Sequence, residues 1–143
     1  MPFGELDALY LHIFTAVEEI EIVLLILGFY LLPPLNLYSL MDIGDLEDFF
    51  LLRRGDIEML FGDLSSLVVI SNARGPQIHL LHASLGDFLL DPARSKELYI
   101  DLSNIHTTCM RLCFRHNNHC TFSYFFKRSC CIPWFNRLNL QWS

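Results

Sequence analysis

The sequence predicts a mainly α-helical fold with one small β-hairpin, that is, a winged-helix-like helical module. Before residue 67, apolar residues recur at helical spacing. Two short runs of β-branched or apolar residues, 67–71 and 77–81, then flank the turn-rich stretch NARGP at 72–76, and helical spacing resumes behind them. The 143-residue chain is 52% hydrophobic, so it can bury a core.

Two helices are expected at the amino end of the chain. The first covers residues 5–17, where six apolar side chains share one helical face: Leu6, Leu9, Tyr10, Ile13, Phe14 and Val17. The second covers residues 18–32 and is apolar on nearly every side, so it must be covered on most of them. Pro33 and Pro34 end it, because proline cannot continue a helix.

The apolar segment around the second helix bears on the cellular compartment. Residues 22–41 carry no charge, but the two prolines interrupt them, so a continuous membrane span of about 20 residues is not expected. The residues before this segment are acidic (Glu18, Glu19 and Glu21), whereas a signal peptide has basic residues there. The five cysteines are odd in number, which favours reduced thiols over a disulfide framework. A cytoplasmic location is expected.

Shorter elements complete the chain. Residues 45–52 predict a short helix, and a further helix begins near Asp56. Behind the hairpin a helix begins at Ser84 and turns three side chains inward: Leu85, Phe88 and Leu89. The last helix carries Ile105, Cys109, Leu112, Cys113 and His116 at helical spacing. The predicted organisation is a helical pair at 1–36, a winged-helix-like region with following helices at 37–118, and an unassigned tail at 119–143.

The stretch HLLHASLGDFLLDPARS, residues 79–95, holds His82, Ser84 and Asp87 close together. These three groups would make a hydrolase site only if their side chains converged, which groups so near along one chain rarely do. Ser84-Leu85-Gly86-Asp87 instead resembles a capping box, in which the Ser84 hydroxyl accepts from a free backbone NH and Asp87 favours the positive helix end. We therefore interpret Ser84 as a cap, with a hydrolase built on His82 and Ser84 as an alternative.

The sequence holds no complete catalytic or metal-binding pattern. G-x-S-x-G, H-E-x-x-H and P-loop patterns are missing, so we expect no enzyme. Five residues near the last helix could in principle bind zinc: Cys109, Cys113, His116, His119 and Cys120. They form no C-x-x-C pair, and cysteine often behaves as a small buried apolar residue, so a packed helix face is the preferred interpretation.

Charge argues against nucleic acid as a partner. The formal net charge is -6. Winged helices that bind DNA use the helix before the hairpin, where basic side chains neutralise phosphates. Residues 56–66 hold Asp56, Glu58 and Asp63 and no basic residue, so this surface would repel a duplex. Nucleic acid is therefore not expected as a partner, and a winged-helix nucleic-acid-binding module is kept only as the alternative function.

Four segments, in this order, resemble the region that follows the nucleotide-binding core in fungal NACHT proteins, members of the STAND class of signalling NTPases. They are LDALYLHIF (6–14), VLLILGFYLLPPL (23–35), DIEMLFGDLSSL (56–67) and HLLHASLGDFLLDPARS (79–95). The resemblance spans roughly residues 5–116, and the run HASLGDFLLDPARS is its most specific part. It implies the winged-helix region of that family.

The resemblance also implies a function. In that family a histidine behind the hairpin contacts the phosphates of bound ADP, and His82 is the matching residue. ADP or ATP is held by a P-loop core that this sequence lacks, so the chain should hold no cofactor on its own. We therefore expect a non-catalytic regulatory or scaffold module, partnered by a nucleotide-binding domain or another protein. Apolar surface left without that partner would also favour an oligomer.

Overall fold

The computed structural model describes residues 3–32, 42–71 and 78–115. Within these ranges the chain forms seven α-helices and one two-stranded antiparallel sheet. In chain order the elements are α1 Gly4–Phe14, α2 Ile20–Leu31, α3 Ile43–Phe49, α4 Asp56–Leu60, β1 Val68–Ile70, β2 Ile78–Leu80, α5 Ala83–Leu89, α6 Pro92–Ser95 and α7 Leu102–Arg115. Single 3-10 turns follow α4 at Gly62–Leu64 and α6 at Lys96–Leu98. The prediction of a mainly helical fold with one small hairpin is confirmed.

The helix ends differ from the predicted ones by a few residues. α1 ends at Phe14 rather than at residue 17, and α2 ends at Leu31, just before the prolines. α3 begins earlier than predicted, because the Asp42 side chain accepts from the Asp45 backbone NH at 2.8 Å. The Asp45 side chain in turn accepts from the Asp42 NH at 3.1 Å, which completes a reciprocal capping box.

α2 lies at the centre of the hydrophobic core. Its side chains Val23, Ile26 and Leu27 have no exposed surface. The Phe29 ring lies 5.4 Å from the ring of Phe49 on α3 and 5.5 Å from that of Phe50, measured between centroids. One continuous cluster of buried apolar residues joins α2 to the other elements, from Tyr10 on α1 to Cys109 on α7. The prediction that this helix is covered on most sides is confirmed, since Glu21 is its one exposed residue and the remaining residues are buried or partly buried.

A buried carboxylate fixes the connection between α3 and α4. Glu47 is only 2% exposed, and its Oε1 accepts from the backbone NH groups of Gly55 at 2.7 Å and Ile57 at 3.3 Å. The Arg54 guanidinium lies 3.9 Å from the other carboxylate oxygen. Gly55 has a positive φ of 92°, a conformation that glycine adopts without strain. The polar atoms of Glu47 are thereby satisfied, as burial requires.

The hairpin has one buried face and one exposed face. Its register pairs Val68 with Leu80, Val69 with His79 and Ile70 with Ile78. Ile78 and Val68 point into the core, whereas Val69 and His79 face outward. The two predicted strands are confirmed.

Several predictions concern residues outside the described ranges. These are the prolines at 33 and 34, the proposed boundary at residue 36, the turn NARGP at 72–76, the residues His116, His119 and Cys120, and the tail at 119–143. Among the helices that are described, none combines the length and the apolar character needed to cross a membrane.

Gly28 allows α2 and α7 to approach closely, and this contact is testable. A Cβ atom at residue 28 would lie 2.6 Å from Ile105 Cγ1 and Cδ1 and 3.0 Å from Ile100 Cγ2. We expect Gly28→Ala to lower the free energy of unfolding by about 1–3 kcal/mol, because overpacking outweighs the better helix propensity of alanine. Urea unfolding followed by circular dichroism measures the change.

Gly4→Ala is the matched control, because nothing lies within 4 Å of a Cβ at that position. It should leave stability unchanged or slightly higher. Equal effects of the two substitutions would contradict close packing at Gly28.

Candidate functional site

His82 occupies the junction between the hairpin and α5. Just before it, the Leu81 backbone NH donates to the Leu67 carbonyl at 2.8 Å, which extends the pairing beyond β2. His82 has extended backbone angles, φ -126° and ψ 118°, and immediately precedes α5. Its own carbonyl accepts from the Leu85 NH at 3.0 Å, the first bond of that helix. The backbone of His82 is therefore held on both sides.

The His82 side chain itself is exposed. It makes no hydrogen bond or ion pair with the residues that the structure describes. An imidazole can donate a hydrogen bond in either protonation state. A phosphate or carboxylate brought by another molecule could therefore reach this group without displacing a partner within the described chain.

The prediction that Ser84 caps a helix is wrong. α5 begins at Ala83 after His82, and no side chain caps it. Ser84 lies inside the first turn, and its Oγ is 2.9 Å from the Tyr10 hydroxyl of α1, where either oxygen could be the donor. Asp87 is exposed beyond the first turn and so does not support the helix start. The capping interpretation failed because the Ser84 hydroxyl is hydrogen-bonded to Tyr10, which lies 74 positions away in the sequence.

The same contact bears on the hydrolase alternative. Within the described residues, the Ser84 hydroxyl pairs with Tyr10 and makes no hydrogen bond to His82 or Asp87. A serine nucleophile requires a base within hydrogen-bonding reach. The geometry thus gives the hydrolase alternative no support.

Tyr10 connects α1 to α5 through its ring as well as its hydroxyl. It has no exposed surface, and its ring centroid lies 5.2 Å from that of Phe88 at an interplanar angle of 56°. Tilted aromatic pairs at such distances are favourable. The inward orientation predicted for Leu85, Phe88 and Leu89 is confirmed, since none of the three is exposed.

An ion pair ties α1 to α6 beside this contact. Arg94 Nε and Nη2 donate to the two Asp7 carboxylate oxygens at 3.0 and 2.7 Å, a bidentate arrangement. The guanidinium carbon lies 5.1 Å from the Phe3 ring centroid and 5.8 Å from that of Phe88. Asp91 caps α6 by accepting from the Ala93 NH at 2.9 Å. α1 is therefore held across α5 and α6 by polar contacts.

The ion pair shifts the pKa of both partners. The hydrogen bonds from Arg94 lower the pKa of the Asp7 carboxyl, and they outweigh partial burial, which acts in the opposite direction. The same hydrogen bonds raise the pKa of the Arg94 guanidinium. Sequence reasoning missed this pair, because Asp7 and Arg94 are 87 positions apart and no local pattern links them.

Cys109 is buried on α7, as a packed helix face requires. Burial raises the pKa of its thiol to about 12, so the thiol stays protonated at neutral pH. A metal ion binds the thiolate form, which this environment disfavours. Across residues 3–32, 42–71 and 78–115, no group of three or more histidine, cysteine, aspartate or glutamate side chains could hold a metal ion.

α4 is a poor candidate for reading DNA. It spans only five residues, Asp56–Leu60, which corresponds to a length of about 7 Å. Both ionisable side chains of this helix, Asp56 and Glu58, are acidic, and Asp63 follows in the next turn. Its length and charge both disfavour insertion into a groove lined by phosphates.

Comparison with protein families, with curated proteins and with solved structures found no match for this chain.

The ion pair between Asp7 and Arg94 predicts a pH dependence of stability. Because the folded pKa of Asp7 is lowered, its contribution is complete above the unfolded value of about 3.9 and is lost as the pH falls through the folded value. The difference in unfolding free energy between the parent chain and Asp7→Asn should therefore be present at pH 7 and shrink below about pH 4. Urea titrations at pH 7, 4 and 2 measure it. The same difference at all three pH values would show that the charge of Asp7 is not involved.

The Tyr10–Ser84 pair predicts an asymmetric double-mutant cycle. Ser84→Ala leaves the fully buried Tyr10 hydroxyl without its partner and should cost about 1–3 kcal/mol. Tyr10→Phe leaves the half-exposed Ser84 hydroxyl able to meet water and should cost about 0.5–1.5 kcal/mol. The double variant should resemble Tyr10→Phe alone, because the orphaned hydroxyl is gone. Denaturant unfolding of the four chains gives the coupling energy, and strict additivity would rule the pair out as a stabilising contact.

Proposed function

We propose that this chain is a non-catalytic regulatory or scaffold module that acts through contact with a nucleotide-binding domain, as the winged-helix part of a NACHT signalling protein does. His82 is the residue through which we propose that it contacts the phosphates of bound ADP. The observation that carries the proposal is the exposed imidazole at the hairpin–α5 junction, which has a fixed backbone and no partner among the described residues.

The surroundings of His82 favour a protein partner. Leu81, its chain neighbour, is 51% exposed, and Val69 on the outer face of the hairpin is 41% exposed. In a strand, alternate residues share a face, so His79 and Leu81 lie on the same side, with Val69 paired to His79. Adjacent exposed apolar side chains beside polar groups are compatible with a protein interface, which has an apolar core and a polar rim. We propose that a nucleotide-binding domain covers this outer face and extends past its edge to His82, the next residue along the chain.

Nucleotide enters this proposal only with the partner. The sequence contains no P-loop to hold ADP or ATP, so the nucleotide would be bound by the partner domain and contacted by His82 from outside. A signalling role in the cytoplasm belongs to the same proposal, and it rests on the family resemblance, the acidic flank of the second helix and the odd number of cysteines. The chain would change its association with the partner, and it would turn over no substrate.

Calorimetric titration tests the proposal. The probe is the isolated nucleotide-binding domain of a fungal NACHT protein, loaded with ADP in one experiment and nucleotide-free in another. A hydrogen bond to a charged group contributes about 1.5–3 kcal/mol, so His82→Ala should weaken binding to the ADP-loaded domain by about 10- to 100-fold. It should have little effect on any binding to the nucleotide-free domain.

His79→Ala is the matched control, because His79 is also an exposed histidine but faces outward from the middle of β2. Its effect on affinity should be the same with and without ADP. ADP alone should not bind the chain. Equal loss of affinity in the two variants, or no binding of the loaded domain to the parent chain, would contradict the role of His82.

A further inference from the structure

We infer that α1 sets the position of His82 through the hydroxyl pair of Tyr10 and Ser84, so that a displacement of α1 reaches the candidate contact residue. Tyr10 is then a positioning residue, and α1 is a regulatory element for the site. The inference rests on the proposed function for its biological meaning, but the structural coupling that it claims can be tested without any partner.

His82 is held from two sides, by the hairpin before it and by α5 after it. On the strand side, the bond from Leu81 to Leu67 continues a ladder whose inner residues are buried. On the helix side, His82 depends on the first turn of α5, a helix of seven residues. A helix that short is not stable in water by itself, so its first turn depends on tertiary contacts.

The Ser84 hydroxyl provides such a tertiary contact for the first turn of α5. Ser84 is the second residue of α5 and lies two positions after His82. Its hydroxyl reaches Tyr10 on α1 at 2.9 Å, whereas Phe88 contacts the same tyrosine ring one turn later. Two successive turns of α5 therefore lie against one side chain of α1.

Tyr10 is itself held in place by burial and by the neighbouring ion pair. Its side chain has no exposed surface, and one turn earlier the Asp7 carboxylate accepts hydrogen bonds from Nε and Nη2 of Arg94. α1 therefore cannot shift relative to α5 without breaking the Tyr10–Ser84 hydrogen bond or moving the first turn of α5. If the turn moves, the backbone at His82 moves with it, because the Leu85 NH of that turn donates to the His82 carbonyl. If the hydrogen bond breaks instead, the turn loses a contact that holds it beside His82.

Hydrogen exchange and NMR on the full chain test this coupling. In Tyr10→Phe, the Leu85 amide should exchange about 2- to 10-fold faster relative to amides of α2, because one hydrogen bond that holds the first turn is lost. The imidazole resonances of His82 should shift, and those of His79 should not. Asp7→Asn loosens α1 by another route and should change the same two signals in the same direction.

Two controls separate coupling from general loss of stability. Tyr99→Phe removes an exposed tyrosine hydroxyl and should leave both signals unchanged. Gly28→Ala destabilises the packing of α2 on α7 and should speed exchange throughout the core, without selectivity for Leu85. If Tyr10→Phe does not fold, Ser84→Ala takes its place with the same expected result. The inference fails if Leu85 and His82 respond no more than distant residues do.

These measurements involve neither nucleotide nor a partner domain. Selective changes at Leu85 and His82, together with no effect of His82→Ala on binding, would overturn the proposed function and leave the coupling intact. Unchanged signals, together with weakened binding by His82→Ala, would overturn the coupling and leave the proposed function intact.

Discussion

The fold depends on the burial of α2. Nearly all of the helix is apolar, and Glu21 is its one charged residue. Covering such a helix stabilises the fold by about 1.5–3 kcal/mol for each fully buried large aliphatic or aromatic side chain. At least three of the described elements contribute to the cover. α3 contributes Phe49, which packs on Phe29, α7 contributes Ile105 at Gly28, and α5 approaches so closely that a Cβ at Gly86 would lie 3.3 Å from Leu31. The short helices α3 to α6 have four to seven residues and owe their stability to this packing.

Polar contacts then decide where each covering element lies. Apolar burial is nondirectional, so it does not fix the rotation of a short helix. The Glu47 carboxylate fixes the rotation of α4, because two backbone NH groups at the start of that helix donate to one of its oxygens. The bidentate Asp7–Arg94 pair fixes the position of α1 against α6, and the Tyr10–Ser84 pair fixes it against α5. Each of these groups is wholly or partly withdrawn from water, so an alternative packing that leaves one unpaired is disfavoured.

The features that the sequence predicted correctly are those encoded by local patterns. Helical spacing located α1, α2, α4, α5 and α7, and two β-branched or apolar runs around the turn-rich sequence NARGP located the hairpin. The start of α3 was misplaced although its signal is local, because Asp42 and Asp45 have the spacing of a capping box. Ser84 was misassigned for a different reason. Serine followed by aspartate three residues later near a helix start reads as a cap, and only the folded chain brings Tyr10 to that hydroxyl.

At the candidate site, too, the sequence gives the residues, but only the tertiary structure shows how they are held. His79 and His82 are both exposed histidines, and sequence proximity alone does not distinguish them. In the structure they differ in what holds them. His79 lies within β2, so its position is set by the pairing with Val69. His82 lies where the strand ladder stops and α5 begins, so its position depends on the hairpin and, through Ser84 and Tyr10, on α1. The affinity of a partner that contacts His82 would therefore depend on the positions of both the hairpin and α1. The affinity of a partner that contacts His79 would depend only on the position of the hairpin.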